Sequence, residues 1–196
     1  MTNRIIGLTG GIATGKTTVA DYLANAYNLP IFDADIYARD AVTVGSPILN
    51  AIAQRYGTDI LLPDGSLNRP KLGEIIFARP EERSWVEGII HPYVGDRFRQ
   101  GIAQSSAPTL VLVIPLLFEA KLTHLMTEIW VVSCSPSQQL QRLMQRNHLT
   151  QEQAQARINS QMSLAEKADL ADVVLDNSST LKILLQQVDN ALVKGS

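Results

Sequence analysis

The sequence predicts an α/β fold in which helices cover a parallel sheet of five strands. Short apolar runs alternate with helical patterns along the chain, which is typical of parallel strands joined by helical crossovers. The runs at 109–114 and 128–133 are apolar except at Thr109, Glu128 and Ser133 at their ends, as expected for strands that are covered on both faces. The 196 residues are 45% hydrophobic, and this content is enough for a sizeable core.

The elements of this sheet follow one another in a simple order. The first strand leads into a glycine-rich loop and then a helix, and a short second strand follows. The predicted strands occupy 4–8, 30–33, 109–114, 128–133 and 172–176, and the first and last are followed by helices at 16–27 and about 181–193.

Two stretches depart from the alternation. Residues 34–108 have helical periodicity and no clear strand, and Gly and Pro pairs, including His91-Pro92, predict a division into short helices. An insertion of this size usually forms a substrate-facing subdomain. Residues 136–167 predict two polar helices around a turn at 147–150, and this segment could act as a mobile lid.

These patterns predict one domain over 1–196. Its core is expected at about 1–35, 91–135 and 168–196, a helical subdomain at about 36–90, and the lid at about 136–167.

Charge and composition exclude several classes of protein. The chain has 17 Lys and Arg against 19 Asp and Glu, a pI near 5.9 and no basic run, so we expect no nucleic-acid partner. The apolar run at 110–118 is far shorter than the roughly 20 residues of a membrane helix, and the N-terminus has no signal-peptide cleavage site. The one cysteine, Cys134, excludes an internal disulfide and fits a small core residue. We expect a cytoplasmic protein without membrane association, and the oligomeric state stays open.

A phosphate-binding motif follows the first strand. Residues 10–17 match G-x-x-x-x-G-K-S/T without a gap, between a strand and a helix as the motif requires. Its glycines let successive backbone N–H groups turn inward at a helix N-terminus and form an anion nest. Lys16 would reach the β- and γ-phosphates, Thr17 would hold Mg²⁺, and Thr18 would donate to the α-phosphate. The expected nucleotide contacts are Gly11, Ile12, Ala13, Thr14, Gly15, Lys16, Thr17 and Thr18.

The remaining motifs favour a kinase of small molecules among nucleotide-binding proteins. The chain has neither the N-K-x-D nor the D-x-x-G motif of a GTPase, and its third strand does not end in the acidic pair of a motor-type ATPase. A nucleotide-sensing module without an acceptor is the alternative from another class. Such a module needs neither a catalytic base nor a charge clamp, so candidates for both roles count against it.

The candidate base comes from the sequence Asp33-Ala34-Asp35, which follows the second strand. Because parallel strands end at one edge of a sheet, these carboxylates are expected to face the nucleotide phosphates. Either could orient an acceptor hydroxyl and take its proton. Asp33 could instead cap the following helix. Asp35 stands in the first turn of that helix and is the preferred base.

Arginines of the lid segment are candidates for stabilising the transferring phosphoryl group. Arg142 and Arg146 are four residues apart on one face of a helix, and Arg157 lies on the next helix. Each could instead be a solvated surface residue. Arg142 is the preferred charge-stabilising group.

Taken in order, these motifs resemble the dephospho-CoA kinase family, P-loop kinases of the nucleoside monophosphate kinase-like group. The family pattern is L-T-G-G-I-x-x-G-K-S/T, D-A-D, H-P, P-L-L-x-E, Q-x-x-R-L/M-x-x-R and D-N. This chain matches it at 8–17, 33–35, 91–92, 115–119, 139–146 and 176–177, so the resemblance covers about 5–178. Ala13 departs from the usual glycine, and Asn68, Gly73 and Gly95 depart from the family's frequent charged residues on the acceptor side.

The resemblance implies transfer of the ATP γ-phosphate to the ribose 3′-hydroxyl of dephospho-CoA, with Mg²⁺ as cofactor. The alternative within the enzyme class is a P-loop kinase for another small acceptor. The resemblance also implies that the helical subdomain binds CoA, that Asp35 is the base, and that Lys16 and Arg142 bind phosphate. Asn177 would contact adenine, and Arg69 a CoA phosphate. The acceptor side would comprise Thr9, Asp33, Arg69, His91, Pro115, Leu116 and Leu117, with Arg146 and Arg157 on the lid.

Overall fold

Buried apolar strands form the centre of the sheet. A computed structural model describes residues 4–194; residues 1–3 and 195–196, which the predicted core ranges include, lie outside the described residues. Within residues 4–194 the sheet has five parallel strands in the order β2-β3-β1-β4-β5, as predicted. The strands are β1 (Arg4–Gly10), β2 (Ile31–Asp33), β3 (Thr109–Val113), β4 (Glu128–Ser133) and β5 (Val173–Asp176).

The register aligns apolar residues across neighbouring strands. Ile6 of β1 lies opposite Val111 of β3, and Leu8 of β1 lies opposite Trp130 of β4. All four side chains are fully buried. Strand β1 continues to Gly10, two residues past the predicted end, because its pairing with β4 extends to Val132.

Helices connect the strands and build the rest of the chain. Within the described part of the chain they are α1 (Lys16–Tyr27), α2 (Ala34–Asp40), α3 (Pro47–Tyr56), α4 (Arg69–Ala78), α5 (Pro80–Gln104), α6 (Pro136–Asn147), α7 (Gln151–Asn159), α8 (Leu164–Asp169) and α9 (Leu181–Lys194), with 3-10 turns at Thr58–Ile60 and Thr123–Leu125. The predicted bounds of α1 and β4 are confirmed. Three helices, not the two predicted, occupy 136–169, because Ser163 caps an additional short helix, α8.

The chain divides into two compact units, of which the first comprises the described residues up to Phe32 and from Ser105 onward. Its core joins the sheet to α1 and α9 through buried residues such as Leu23, Leu184 and Val188. The hydroxyls of Tyr22 and Tyr27 both donate to Asp189 Oδ1, at 2.8 and 2.7 Å, and so tie α1 to α9. Hydrogen bonding to this carboxylate raises the pKa of Tyr27 to about 12.

The second unit, Asp33–Gln104, is helical and has its own core, which includes Ile52, Ile60 and Val86. The prediction that His91-Pro92 ends a helix is wrong, because α5, which is 25 residues long, continues through Pro92. Proline removes one backbone N–H donor, but buried Val94 and Phe98 on the same helix hold the following turns against the unit. Within residues 4–194, no helix is long and apolar enough to cross a membrane.

Candidate active site

The phosphate-binding motif forms the loop between β1 and α1. Gly15 caps α1 in the left-handed region, with φ of 104°, where residues with a Cβ are strained. A Cβ at Gly15 would also collide with the side-chain nitrogen of Asn177. Ala13 has φ of 62° without being glycine, so the one departure within the motif carries backbone strain.

Side chains of the loop bind its own carbonyl groups. The Lys16 ammonium donates to Gly11 O at 2.6 Å and to Gly10 O at 3.1 Å. The buried hydroxyl of Thr14 donates to Gly11 O at 3.0 Å. Thr17 and Thr18 are exposed in the first turn of α1. The loop therefore presents a lysine, two hydroxyls and a helix N-terminus, which together favour an anion.

Two glutamines from outside the motif hold the loop at Ile12. Gln139 Nε2 of α6 donates to Ile12 O at 2.9 Å, and Ile12 N donates to Gln161 Oε1 at 2.9 Å. Gln139 is buried. Neither glutamine is among the residues predicted for the site, although Gln139 is the first residue of the Q-x-x-R lid pattern. Both backbone groups of Ile12 are satisfied, and this fixes the loop's conformation.

Asn177 and Arg142 support the other end of the loop. Asn177 Nδ2 donates to Thr14 O at 2.8 Å, and Arg142 Nη2 donates to Asn177 O at 2.9 Å. Within residues 4–194, the other guanidinium nitrogen, Nη1, is buried without a hydrogen-bond partner. Burial raises the pKa of the nearby Cys134 thiol, and the charge of Arg142 partly opposes this. The structure thus brings Lys16, Arg142 and Asn177 together around one loop.

The predicted lid arginines differ in exposure. Arg142 is half-buried, whereas Arg146 and Arg157 are exposed. Arg146 Nε donates to Asn147 Oδ1 at 2.9 Å, and Arg157 lies in the last turn of α7. The contact of Arg146 does not involve the phosphate loop.

The turn that follows β3 carries three of the predicted acceptor-side residues, Pro115, Leu116 and Leu117, and contacts a fourth, Thr9 of β1. Thr9 is fully buried, and its hydroxyl donates to Pro115 O at 3.3 Å. Leu117 is fully buried and Leu116 partly so. Lys167 of α8, to which sequence analysis gave no role, is fully buried and also donates to Pro115 O, at 3.0 Å. Buried polar groups therefore fix this turn through one carbonyl oxygen.

The two predicted site carboxylates of the second unit, Asp33 and Asp35, lie at the start of α2. Asp33 Oδ1 accepts from Asp35 N at 2.7 Å, so the alternative that Asp33 caps α2 is confirmed. Asp35 is exposed in the first turn of α2. Tyr37 of the same helix packs edge-on against Phe98 of α5, with ring centres 5.3 Å apart, and this contact steadies the helix that carries Asp35.

The other predicted residues of the second unit lie on two further helices. Arg69 is the first residue of α4 and is exposed, and the neighbouring Asn68 caps that helix by accepting from Lys71 N at 3.1 Å. His91 is exposed within α5. Among residues 4–194, no group of three or more His, Cys, Asp or Glu side chains could hold a metal ion by itself.

Comparison with known proteins identifies the family. The family model described as dephospho-CoA kinase matches residues 4–182. The dephospho-CoA kinase of Nostoc sp. is 76% identical over 192 residues, which cover 98% of each chain. A crystal structure from Thermus thermophilus superposes with a TM-score of 0.84 at 29% identity over all of both chains. The structure of dephospho-CoA kinase from Campylobacter jejuni gives 0.73 at 25% identity over 100% of this chain and 98% of that one. The chain therefore belongs to the dephospho-CoA kinase family.

Proposed function

We propose that this chain transfers the γ-phosphoryl group of ATP to the ribose 3′-hydroxyl of dephospho-CoA, which gives coenzyme A and ADP. This is the last step of coenzyme A synthesis. The observation that carries the proposal is the family match over residues 4–182, which includes the complete phosphate loop. ATP and dephospho-CoA are the two substrates, and the cytoplasm is the compartment in which the reaction takes place.

The phosphate loop binds the donor. Backbone N–H groups of the loop bind the phosphate oxygens at the N-terminus of α1, except that of Ile12, which donates to Gln161, and the Lys16 ammonium moves from the loop carbonyls to the β- and γ-phosphates. Asn177 lies at the adenine end. Thr17 supplies a hydroxyl for Mg²⁺, and the nucleotide's own oxygens complete a donor set of the kind that this ion prefers. Mg²⁺ held by Thr17 would supply positive charge that neutralises the phosphates.

Asp35 acts as the base. Its carboxylate takes the proton of the 3′-hydroxyl as that oxygen attacks the γ-phosphorus, while the bond to the β-phosphate oxygen breaks and ADP leaves. Asp33 caps the helix that carries Asp35, and this supports a division of roles between the two carboxylates. Arg142 stabilises the charge on the transferring group, and Arg146 and Arg157 add positive charge from the lid.

The residues that bind the acceptor are those of the family pattern. Arg69 supplies positive charge for a CoA phosphate, while His91 and Asp33 contact the nucleoside part. Thr9, Pro115, Leu116 and Leu117 form the wall of the acceptor site. These assignments follow the family pattern residue by residue.

An ADP-release assay with ATP, Mg²⁺ and a panel of acceptors tests the proposal. Dephospho-CoA should support turnover, and the product should have the mass of coenzyme A, whereas adenosine, AMP, shikimate and gluconate should not react. Turnover with another acceptor in place of dephospho-CoA would contradict the assigned substrate. ATP binding without turnover on any acceptor would favour a nucleotide-sensing module.

A further inference from the structure

Lys167 is a charged residue that the mechanism above does not use. Its side chain is fully buried in the first unit. An ammonium group is unfavourable away from water unless it is paired with a charge and hydrogen-bonded. Lys167 meets both conditions, and the groups that satisfy it all belong to one turn.

That turn is 115–119, directly after β3. Lys167 Nζ lies 3.0 Å from Pro115 O and 2.9 Å from Glu119 Oε1. It therefore contacts the first and last residues of the turn at once. Pro115 O also accepts from the buried Thr9 hydroxyl of β1, so the start of the turn is held from two sides.

The same carboxylate reaches the segment that precedes Lys167. Glu119 Oε1 accepts from Met162 N at 3.0 Å. The preceding residue, Gln161, accepts from the backbone N–H of Ile12 in the phosphate loop. Residues 161–167 thus join the turn after β3 to the phosphate loop through hydrogen bonds, with Glu119 at the junction.

We propose that Lys167 and Glu119 are positioning residues for phosphoryl transfer, acting through the turn 115–119 that they hold beside the phosphate loop. The proposal rests on the proposed function, in which this turn lines the acceptor site. A displacement of about 1 Å between reacting groups can slow a reaction by about 100-fold. The ion pair between buried Lys167 and the more exposed Glu119 fixes the ends of the acceptor wall, so it bears on the binding and alignment of dephospho-CoA, and ATP binding depends on it less.

Lys167→Met tests the proposal, because methionine keeps the bulk of the side chain and removes its charge and donors. The matched control is Arg4→Met. Arg4 pairs with Glu128 at 2.5 Å at the amino-terminal end of β1, the end opposite the phosphate loop. Both variants should melt at lower temperature than the wild type. Only Lys167→Met should raise KM for dephospho-CoA and lower kcat, each by about tenfold or more, with KM for ATP within about twofold of wild type.

The proposal would be contradicted by a Lys167→Met enzyme that melts at a lower temperature but keeps both KM values and kcat within about twofold of wild type. Arg4→Met should behave in this way. An equal rise in KM for ATP and for dephospho-CoA would also overturn the proposal. Lys167→Arg, which restores the charge and the donors, should recover part of the affinity for dephospho-CoA.

A milder variant covers the case in which Lys167→Met does not fold. Glu119→Gln removes the charge but keeps an oxygen that can accept from both Lys167 and Met162, and it should raise KM for dephospho-CoA selectively but less. The wild-type enzyme, assayed beside the variants, separates the two proposals. A wild type that is inactive on dephospho-CoA contradicts the proposed function, whereas an active wild type with kinetically unchanged variants contradicts the positioning role alone.

Discussion

The side-chain amide of Gln139 donates a hydrogen bond to the carbonyl oxygen of Ile12 at 2.9 Å. This bond joins the first turn of α6 to the phosphate loop. Arg142 stands three residues further on the same helix, on the same face. The helix that carries the arginine proposed to stabilise charge is therefore anchored to the phosphate loop.

Gln139→Leu should weaken the fold, because it leaves the Ile12 carbonyl without its partner. A buried acceptor that loses its hydrogen-bond donor lowers the free energy of unfolding by about 1–3 kcal/mol. Urea unfolding should show a loss of unfolding free energy in this range, and KM for ATP should rise. Gln141→Leu, at an exposed position of the same helix, is the control and should change stability by less than about 0.5 kcal/mol. Equal losses in the two variants would show that Gln139 does not support the loop.

Arg142→Ala should reduce kcat more than it raises KM for ATP, because the guanidinium is proposed to act on the transition state. The loss of one such donor lowers kcat by about 100- to 1,000-fold. Arg142→Lys keeps the charge but not the two-nitrogen fork and should fall between Ala and the wild type. Steady-state kinetics with ATP as the varied substrate makes the comparison. A rise in KM for ATP at unchanged kcat would make Arg142 a residue of ground-state binding only.

Asp35→Asn should bind ATP as the wild type does and lose most of its turnover. A positioned base contributes about 100- to 10,000-fold to the rate, so kcat should fall by that order. Asp33→Asn is the informative companion, because asparagine also caps helices and keeps α2 intact. Calorimetric ATP binding and kcat are measured on both. An unchanged kcat for Asp35→Asn would rule out its role as the base.

Glu82 predicts a pH dependence of stability in the second unit. Hydrogen bonds from Arg55 Nε at 2.7 Å and from the Tyr56 hydroxyl at 2.6 Å lower the pKa of Glu82 from 4.5 to about 2. Because the folded-state pKa lies below the unfolded one, the carboxylate stabilises the fold above pH 4.5, and this contribution is lost as the pH falls towards about 2.

Glu82→Gln should therefore melt below the wild type at neutral pH, and the gap should close between about pH 4.5 and 2. Thermal melts across this range measure the difference. Glu87→Gln disrupts an exposed helical pair with Arg83 and should change little. A gap for Glu82→Gln that does not vary with pH would mean that the charge of Glu82 does not cause the stabilisation.

The parts of the fold that local pattern dictates could be predicted from the sequence. The unbroken apolar run of β4 and the amphipathic stretch of α1 both have the predicted bounds. The helix break expected at His91-Pro92 does not occur. A proline reports only on the local backbone, whereas α5 is held beyond Pro92 by tertiary packing of Val94 and Phe98. In a helix of 25 residues, the burial of apolar side chains outweighs the loss of one backbone N–H donor at the proline.

The candidate site also contains residues that could be predicted from local sequence and residues that could not. Lys16 and Thr17 could be found because a phosphate loop needs contiguous residues at fixed spacing. Gln139 and Gln161 act on the loop from more than 120 residues away in sequence, and Lys167 acts on the neighbouring turn from 52 residues away. In a single sequence they have the composition of solvated helix residues, so only the folded chain reveals that their polar atoms bind buried backbone groups.

The most direct test of the proposed activity compares dephospho-CoA with its 3′-deoxy analogue as acceptors for γ-labelled ATP. We predict that label passes to dephospho-CoA, giving a product with the mass of coenzyme A, and that the 3′-deoxy analogue stays unlabelled. Transfer of label to the 3′-deoxy analogue would contradict the assignment of the 3′-hydroxyl as the attacking group.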